Sequence, residues 1–295
     1  MDDRTELTTF LRSRRARLRP EDVGLPDYGR VRRVEGLRRE ELARLAGVSL
    51  AHYTRLEQGN GDGVSGEILD AVAAALRMDE DERAYLHAVA RRPAPCPPAP
   101  PEVPAALRHL LESTTTTPAL VVGRHTQIVG WNALAVAVFG DFPALPPDRR
   151  TLSHLLFAEP YGRALHAAGW ERTAREHVAS LRVLLGRYRG DAELTAHIDR
   201  MRGLDADFDR LWAEQTVARA PSRPYALHHP VVGPMTLHGE RVTLPDRPAC
   251  YGLDLYAAEP GSASEDALRR LAGGRRPQRG TVVLCGGGDR HTGRS

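Results

Sequence analysis

Lysine is absent from this 295-residue chain, so its 41 basic residues are all arginine. A GC-rich coding bias accounts for that, and the net charge of +3 argues for no particular partner. No apolar run reaches 18 residues, which excludes a membrane-spanning helix and a membrane partner. The N-terminus is polar and carries no apolar signal segment, so a cytoplasmic, nucleoid-associated chain is expected. Cys96, Cys250 and Cys285 are scattered, and their odd number builds no disulfide framework. Neither a CxxC pair nor a Cys/His cluster is present, so no metal is expected. HExxH, GxSxG and a phosphate-binding Walker loop are also missing, and Gly286-Gly-Gly-Asp follows no strand and opens no helix. The chain therefore reads as something other than an enzyme, with no catalytic residue.

What is present begins at residues 37–59. Leu42, Ala43 and Ala46 fall on one face of a short helix. Gly47 fits the tight turn that follows, where a Cβ is strained. Val48 plugs the gap between two helices, and Ser49 is placed to cap the second by accepting an orphan backbone N–H. Tyr53 and Leu56 share its inner face, and Gly59 ends it. Leu50, Ala51, His52, Thr54 and Arg55 remain on the outside, where a helix-turn-helix meets the major groove of double-stranded DNA.

Charge is uneven around this motif. Residues 4–19 hold six arginines and one glutamate, and residues 30–44 hold six arginines and three glutamates. Asp79, Glu80, Asp81 and Glu82 bring the first 92 residues to neutrality. A basic face on a neutral domain suits phosphate contact, and Arg30, Arg32 and Arg33 are expected to lie against DNA.

Further helices are expected at about residues 5–19, from a Ser65 cap to Leu76, and from Asp79 onward. Five helices make an all-α domain over residues 1–92. Residues 93–104 contain seven prolines, so 93–103 read as an extended linker. Residues 104–272 change character. A short helix at Leu107–Glu112 precedes strands at residues 119–123 and 127–131, joined by a turn at Arg124–Thr126. Asn132 caps a helix to Phe139, Leu152–Phe157 is a short helix, and Trp170–Arg187 is long and amphipathic. Helices near 191–202 and 205–215 follow. Strands then recur at 225–230, 235–244 and 251–257, with His238-Gly239-Glu240 readable as a hairpin turn or a bulge. A last helix is expected at 261–272. The order gives an α+β domain with a mostly antiparallel sheet. Residues 273–295 read as a disordered tail.

The helix-turn-helix resembles the phage-repressor-like XRE family, on Glu41, Leu42, Ala43, Gly47, Val48, Ser49, Tyr53, Leu56, Glu57 and Gly59. Arg38 departs from it, standing where many such domains place a Ser or Thr cap. The wider series looks like the MmyB-like transcription regulators. It comprises Val121-Val-Gly-Arg124, Ile128-Val-Gly-Trp-Asn132, Trp170-Glu-Arg-Thr-Ala174, Val178-Ala-Ser-Leu-Arg182, Phe208-Asp-Arg-Leu-Trp212, His229-Pro-Val-Val-Gly233 and Ala258-Glu-Pro-Gly-Ser262. The tail beyond residue 272 exceeds the usual family end.

That resemblance implies a PAS-like sensor domain for a fatty-acid-like or other apolar effector, and a homodimer on an operator. It also implies base contacts from Leu50, Ala51 and Arg55. Arg38, Arg39 and Ser49, with His52 and Thr54, complete the expected DNA-facing set. Glu57 is expected to pair with Arg14 or Arg15. Trp131, Phe139, Leu181 and Leu184 are the expected pocket residues, with His229 as polar anchor. The alternatives are a DNA-binding domain fused to an enzyme, for which no convergent polar groups are found, and an antitoxin-like binding protein.

Overall fold

The computed structural model describes residues 3–25, 36–91, 103–219, 223–243 and 251–273. Arg30, Arg32, Arg33, most of the proline-rich linker and nearly all of the tail lie outside the described residues. The helices, in chain order, are α1 Asp3–Arg17, α2 Arg39–Leu45, α3 Leu50–Glu57, α4 Gly66–Ala75, α5 Glu80–Ala90, α6 Ala105–Ser113, α7 Ala133–Phe139, α8 Leu152–Phe157, α9 Pro160–His166, α10 Trp170–Arg187, α11 Ala192–Leu204, α12 Ala206–Ala213 and α13 Ala263–Gly273. The strands are β1 Ala119–Gly123, β2 Ile128–Trp131, β3 Pro224–His229, β4 Gly233–Thr243 and β5 Tyr251–Ala257. Among the described residues, no helix is long and apolar enough to cross a membrane.

Two compact units result, and they divide the chain differently from its order. The first takes residues 1–96 and 175–220, and the second takes 97–174 and 221–295. The sequence predicts a domain over residues 104–272; within the fold, α11, α12 and all but the start of α10 cluster with the N-terminal helices.

The first unit is helical. Ser49, Ser65 and Asp79 cap α3, α4 and α5 by accepting the backbone N–H groups of His52, Ile68 and Glu82. Glu82 accepts in return from the Asp79 N–H, closing a capping box. The core joins Leu7, Phe10 and Leu11 of α1 to Leu42, Tyr53, Leu56, Leu69, Val72, Tyr85 and Leu86, and it includes Val217. Apart from Val217, these are the 3.6-period apolar positions of five helices, buried together because none could hide its stripe alone.

The second unit is a five-stranded antiparallel sheet in the order β2-β1-β5-β4-β3. Alternate residues serve opposite faces. Ala119 and Val121 pack with Leu107 and Leu111 of α6, while Leu120 and Val122 pack with Trp131, Ala135 and Phe142. Leu227, Met235 and Leu237 meet Leu134 and Val138 of α7, Leu165 of α9, and Ala267 and Leu268 of α13. Asn132 knots the first hairpin to α7. Its Oδ1 accepts from the N–H groups of Ala119 and Ala135, and its Nδ2 donates to the carbonyls of Thr114 and Thr117.

One local reading is corrected. His238-Gly239-Glu240 forms neither a turn nor a bulge: β4 runs straight through it, pairing with β3 by its first half and β5 by its second. Gly239 is glycine for room, because a Cβ there would meet the rings of Tyr225 at 2.8 Å and Tyr256 at 3.2 Å. The chain reverses instead at Pro230–Val232, before Gly233 at φ +79. Helix α9 has no counterpart in the sequence reading, although Pro160 in its first turn is a recognised start signal.

Candidate nucleic-acid interface and ligand-binding domain

The turn between α2 and α3 is built as its sequence demands. Gly47 sits at φ +66, and the Val48 N–H donates to the Ala43 carbonyl. Past α3, Gly59 lies at φ +86, and a Cβ there would come within 2.5 Å of the Arg4 carbonyl oxygen. Glycine is needed twice over at this point, for conformation and for the close passage of α1.

Glu57 holds the motif together. Its side chain has no exposed surface, yet its carboxylate receives Arg15 Nε at 2.8 Å, Arg15 Nη2 at 3.1 Å and Arg39 Nε at 2.8 Å. Burial alone would raise the carboxyl's pKa, but Arg15, the Tyr53 hydroxyl and Arg39 outweigh it and hold the group below the ordinary range. Helix α3 is thereby fixed to α1 through Arg15 and to the start of α2 through Arg39. Of the two expected partners, Arg15 is the one found. Arg14 turns elsewhere, donating to the Gln215 carbonyl at 2.7 Å and lying 3.1 Å from a Glu82 carboxylate oxygen.

With Tyr53, Leu56 and Glu57 buried, the opposite face of α3 is open. Leu50, an apolar residue, is 47 % exposed, and Ala51 and Arg55 are exposed beside it. His52 and Thr54 are half-buried, and Ser49 is exposed while its hydroxyl caps the helix. Arg39 keeps 39 % of its side chain exposed with its Nε committed to Glu57, so the guanidinium is held in place at the surface. Arg38 is the residue before α2, and its N–H donates to Glu41 at 2.7 Å. That bond is the reciprocal half of a capping box, and Arg38 itself supplies no side-chain acceptor to the first N–H groups of α2. The Arg38 side chain is exposed near Glu40.

The expected pocket residues are split. Trp131, Phe139 and His229 belong to the second unit, whereas Leu181 and Leu184 belong to the first. Trp131 is buried edge-on against Phe142, and half-buried Phe139 packs edge-on against Tyr256 at the junction of two apolar clusters. His229 is 3 % exposed, and its ring is engaged on both sides. Nε2 donates to the Ala137 carbonyl at 2.8 Å, which leaves Nδ1 to accept from the Val231 and Val232 N–H groups. The ring thus pins the β3–β4 turn to α7. Among the described residues, no cluster of three metal-binding side chains occurs.

Sequence reasoning missed a buried ionic cluster in the first unit. Arg182 of α10 has no exposed surface and pairs with Glu6 of α1, whose carboxylate also accepts from the Tyr85 hydroxyl at 2.5 Å. The signal was available: Arg182 falls on the same stripe of α10 as Val178, Leu181 and Leu185. A charge inside an apolar stripe needs a buried partner.

Comparison with protein families gives two matches. Residues 103–271 match the model of the MmyB-like transcription regulator ligand binding domain, and residues 6–86 match that of a helix-turn-helix domain. A comparison with curated proteins returns no match.

Proposed function

The chain belongs to the MmyB-like transcription regulators, and from that premise we propose that it binds a specific DNA operator as a homodimer and senses an apolar, fatty-acid-like molecule. A helix-turn-helix domain joined to a ligand-binding domain of this family makes it a ligand-responsive transcription regulator. The observation that carries the finer reading is the open face of α3. Leu50, Ala51 and Arg55 stand exposed on a helix whose other face is locked by Tyr53, Leu56 and Glu57. Arg55 donates to guanine O6 and N7, and Ala51 touches a thymine methyl. Arg39, steadied by Glu57, meets a phosphate. A single motif reads few bases, so two copies read half-sites one helical turn apart, about 10 base pairs, or a multiple of that. Action on DNA places the chain in the cytoplasm, at the nucleoid.

The ligand reading is supported by the second unit's aromatic-rich layer between α7 and the sheet, around Trp131, Phe139 and Phe142. It draws no support from Leu181, Leu184 or His229.

Arg55→Ala tests the DNA reading. It should cost about 1–3 kcal/mol of discrimination between the operator and random duplex. Equal loss on both would reduce Arg55 to a phosphate contact. For the ligand, thermal melts of the full chain against fatty acids of graded length are the test. A true ligand at 100 times its Kd adds roughly 2.7 kcal/mol. If no fatty acid moves the melt and none co-purifies, the second unit is a structural domain.

A further inference from the structure

Residues 175–220 lie inside the span that matches the ligand-binding domain, yet they are built into the compact unit of the DNA-binding helices. Their attachment is specific. Arg182 pairs with Glu6, donates to the Trp212 carbonyl at 2.6 Å, and lies 4.0 Å from the centre of the Trp212 ring. Glu6 is shared with the Tyr85 hydroxyl, so one buried carboxylate joins α1, α5 and α10. Gly186 allows the close approach, since a Cβ there would meet the Tyr85 ring at 2.6 Å. Around this centre, Arg14 donates to the Gln215 carbonyl and Arg17 to that of Glu214. Arg189 donates to the carbonyls of Ala88, Val89 and Arg91, satisfying the exposed end of α5. Arg219 pairs with Asp81, and Val217 is buried in the core of the DNA-binding helices.

We propose that residues 175–220 are an intramolecular clamp that completes the DNA-binding unit, with Glu6, Arg182 and Tyr85 as its latch. The proposal rests on the DNA-binding reading of α3 and goes beyond it. The latch seats α1, α1 carries Arg15, and Arg15 holds Glu57, which fixes α3 and Arg39. Loosening the latch therefore transfers the ordering of α1 to the moment of DNA binding and weakens it. The start of α10 is separately anchored in the second unit. There the Trp170 Nε1–H donates to the Leu156 carbonyl at 2.9 Å, and the Arg163 guanidinium lies 4.0 Å from the Trp170 ring centre.

The test uses the full chain and a duplex selected from random DNA. Arg182→Met should speed amide exchange in α1 and α5, although neither helix contains the substituted residue. It should also weaken binding to the selected duplex by about tenfold, within the usual range of coupling between sites. Gly186→Leu, which wedges α10 off Tyr85 without touching a charge, should do the same. The paired change Glu6→Gln with Arg182→Met leaves no buried charge unpaired and still breaks the latch, so it should speed exchange in α1 and α5 as well and keeps the test open if the single variant misfolds. Arg202→Met, which breaks the exposed Arg202–Asp209 pair in the same segment, should move neither readout. If α1 and α5 exchange as in the parent, the clamp is refuted. If exchange rises while affinity is unchanged, the clamp has no part in DNA binding, and the α3 reading survives. If no duplex is selected at all, the DNA-binding reading itself falls, and the proposal falls with it.

Discussion

Glu57→Gln removes one charge from the first unit and little else. The carboxylate it replaces is fully buried and takes two hydrogen bonds from Arg15 and one from Arg39. A hydrogen bond to a charged group contributes about 1.5–3 kcal/mol. The Arg15 side chain is 14 % exposed, so its paired bonds keep most of that value. Arg39 is 39 % exposed, and water screens its share heavily. Gln can still accept from one guanidinium, but its amide turns a donor toward the other. The expected loss is about 2–4 kcal/mol, set against a typical total of about 5–15 kcal/mol. Native-state amide exchange in α2 and α3 reads it directly. At about 1.4 kcal/mol per factor of ten, exchange should quicken roughly 30- to 1,000-fold. Acid adds a second signature. Because the folded carboxyl has a lowered pKa, its contribution is complete above the unfolded value of about 4.3 and is lost as pH falls through the lower folded value. The parent should lose protection over that acid window, and the Gln variant should lack this component. Less than a threefold change at neutral pH, or identical acid profiles, would show that Glu57 does not hold the motif together.

Asn132→Ala deletes four hydrogen bonds and the cap of α7. A melt of the second unit should register a loss of about 3 kcal/mol, a cap being worth about 1 and each buried orphan more. Replacing Arg30, Arg32 and Arg33 together by Ala should flatten the salt dependence of DNA binding by roughly 0.9 log unit for each phosphate left without its arginine. Titrations at several salt concentrations decide it, and an unchanged slope would make the cluster a solvated surface.

The elements that were legible are those whose signals are local. Gly47, Ser49, Tyr53, Leu56 and Gly59 spell out the helix-turn-helix within thirteen positions. Asn132, Ser65 and Asp79 announce helix starts by side chains that bond three residues ahead. Alternation locates the strands, but their order cannot be read from it, since β1 pairs with β5 across more than a hundred residues. Gly239 misleads because a glycine that makes way for two tyrosine rings looks the same in sequence as one that turns the chain. The proline-rich stretch is a fair boundary signal. It cannot reveal that residues 175–220 return to the N-terminal helices, because Arg14 meets Gln215 across 201 positions. Leu181 and Leu184 lie on that returning segment. An apolar stripe says that a helix buries a face, not against what.

The split unit also fixes an order of events on the ribosome. Tyr85 follows Glu6 by 79 positions, and Arg182 is added only 97 positions after Tyr85, once the first two strands of the sheet have been made. At about 5–20 residues per second, that interval is roughly 5–20 s. During it the N-terminal helices hold a carboxylate destined for burial with no arginine to meet it. The nascent chain must therefore keep α1 loosely docked, or leave Glu6 in water, until α10 emerges. The DNA-reading half of the molecule is translated first and is finished only after the sheet is under construction.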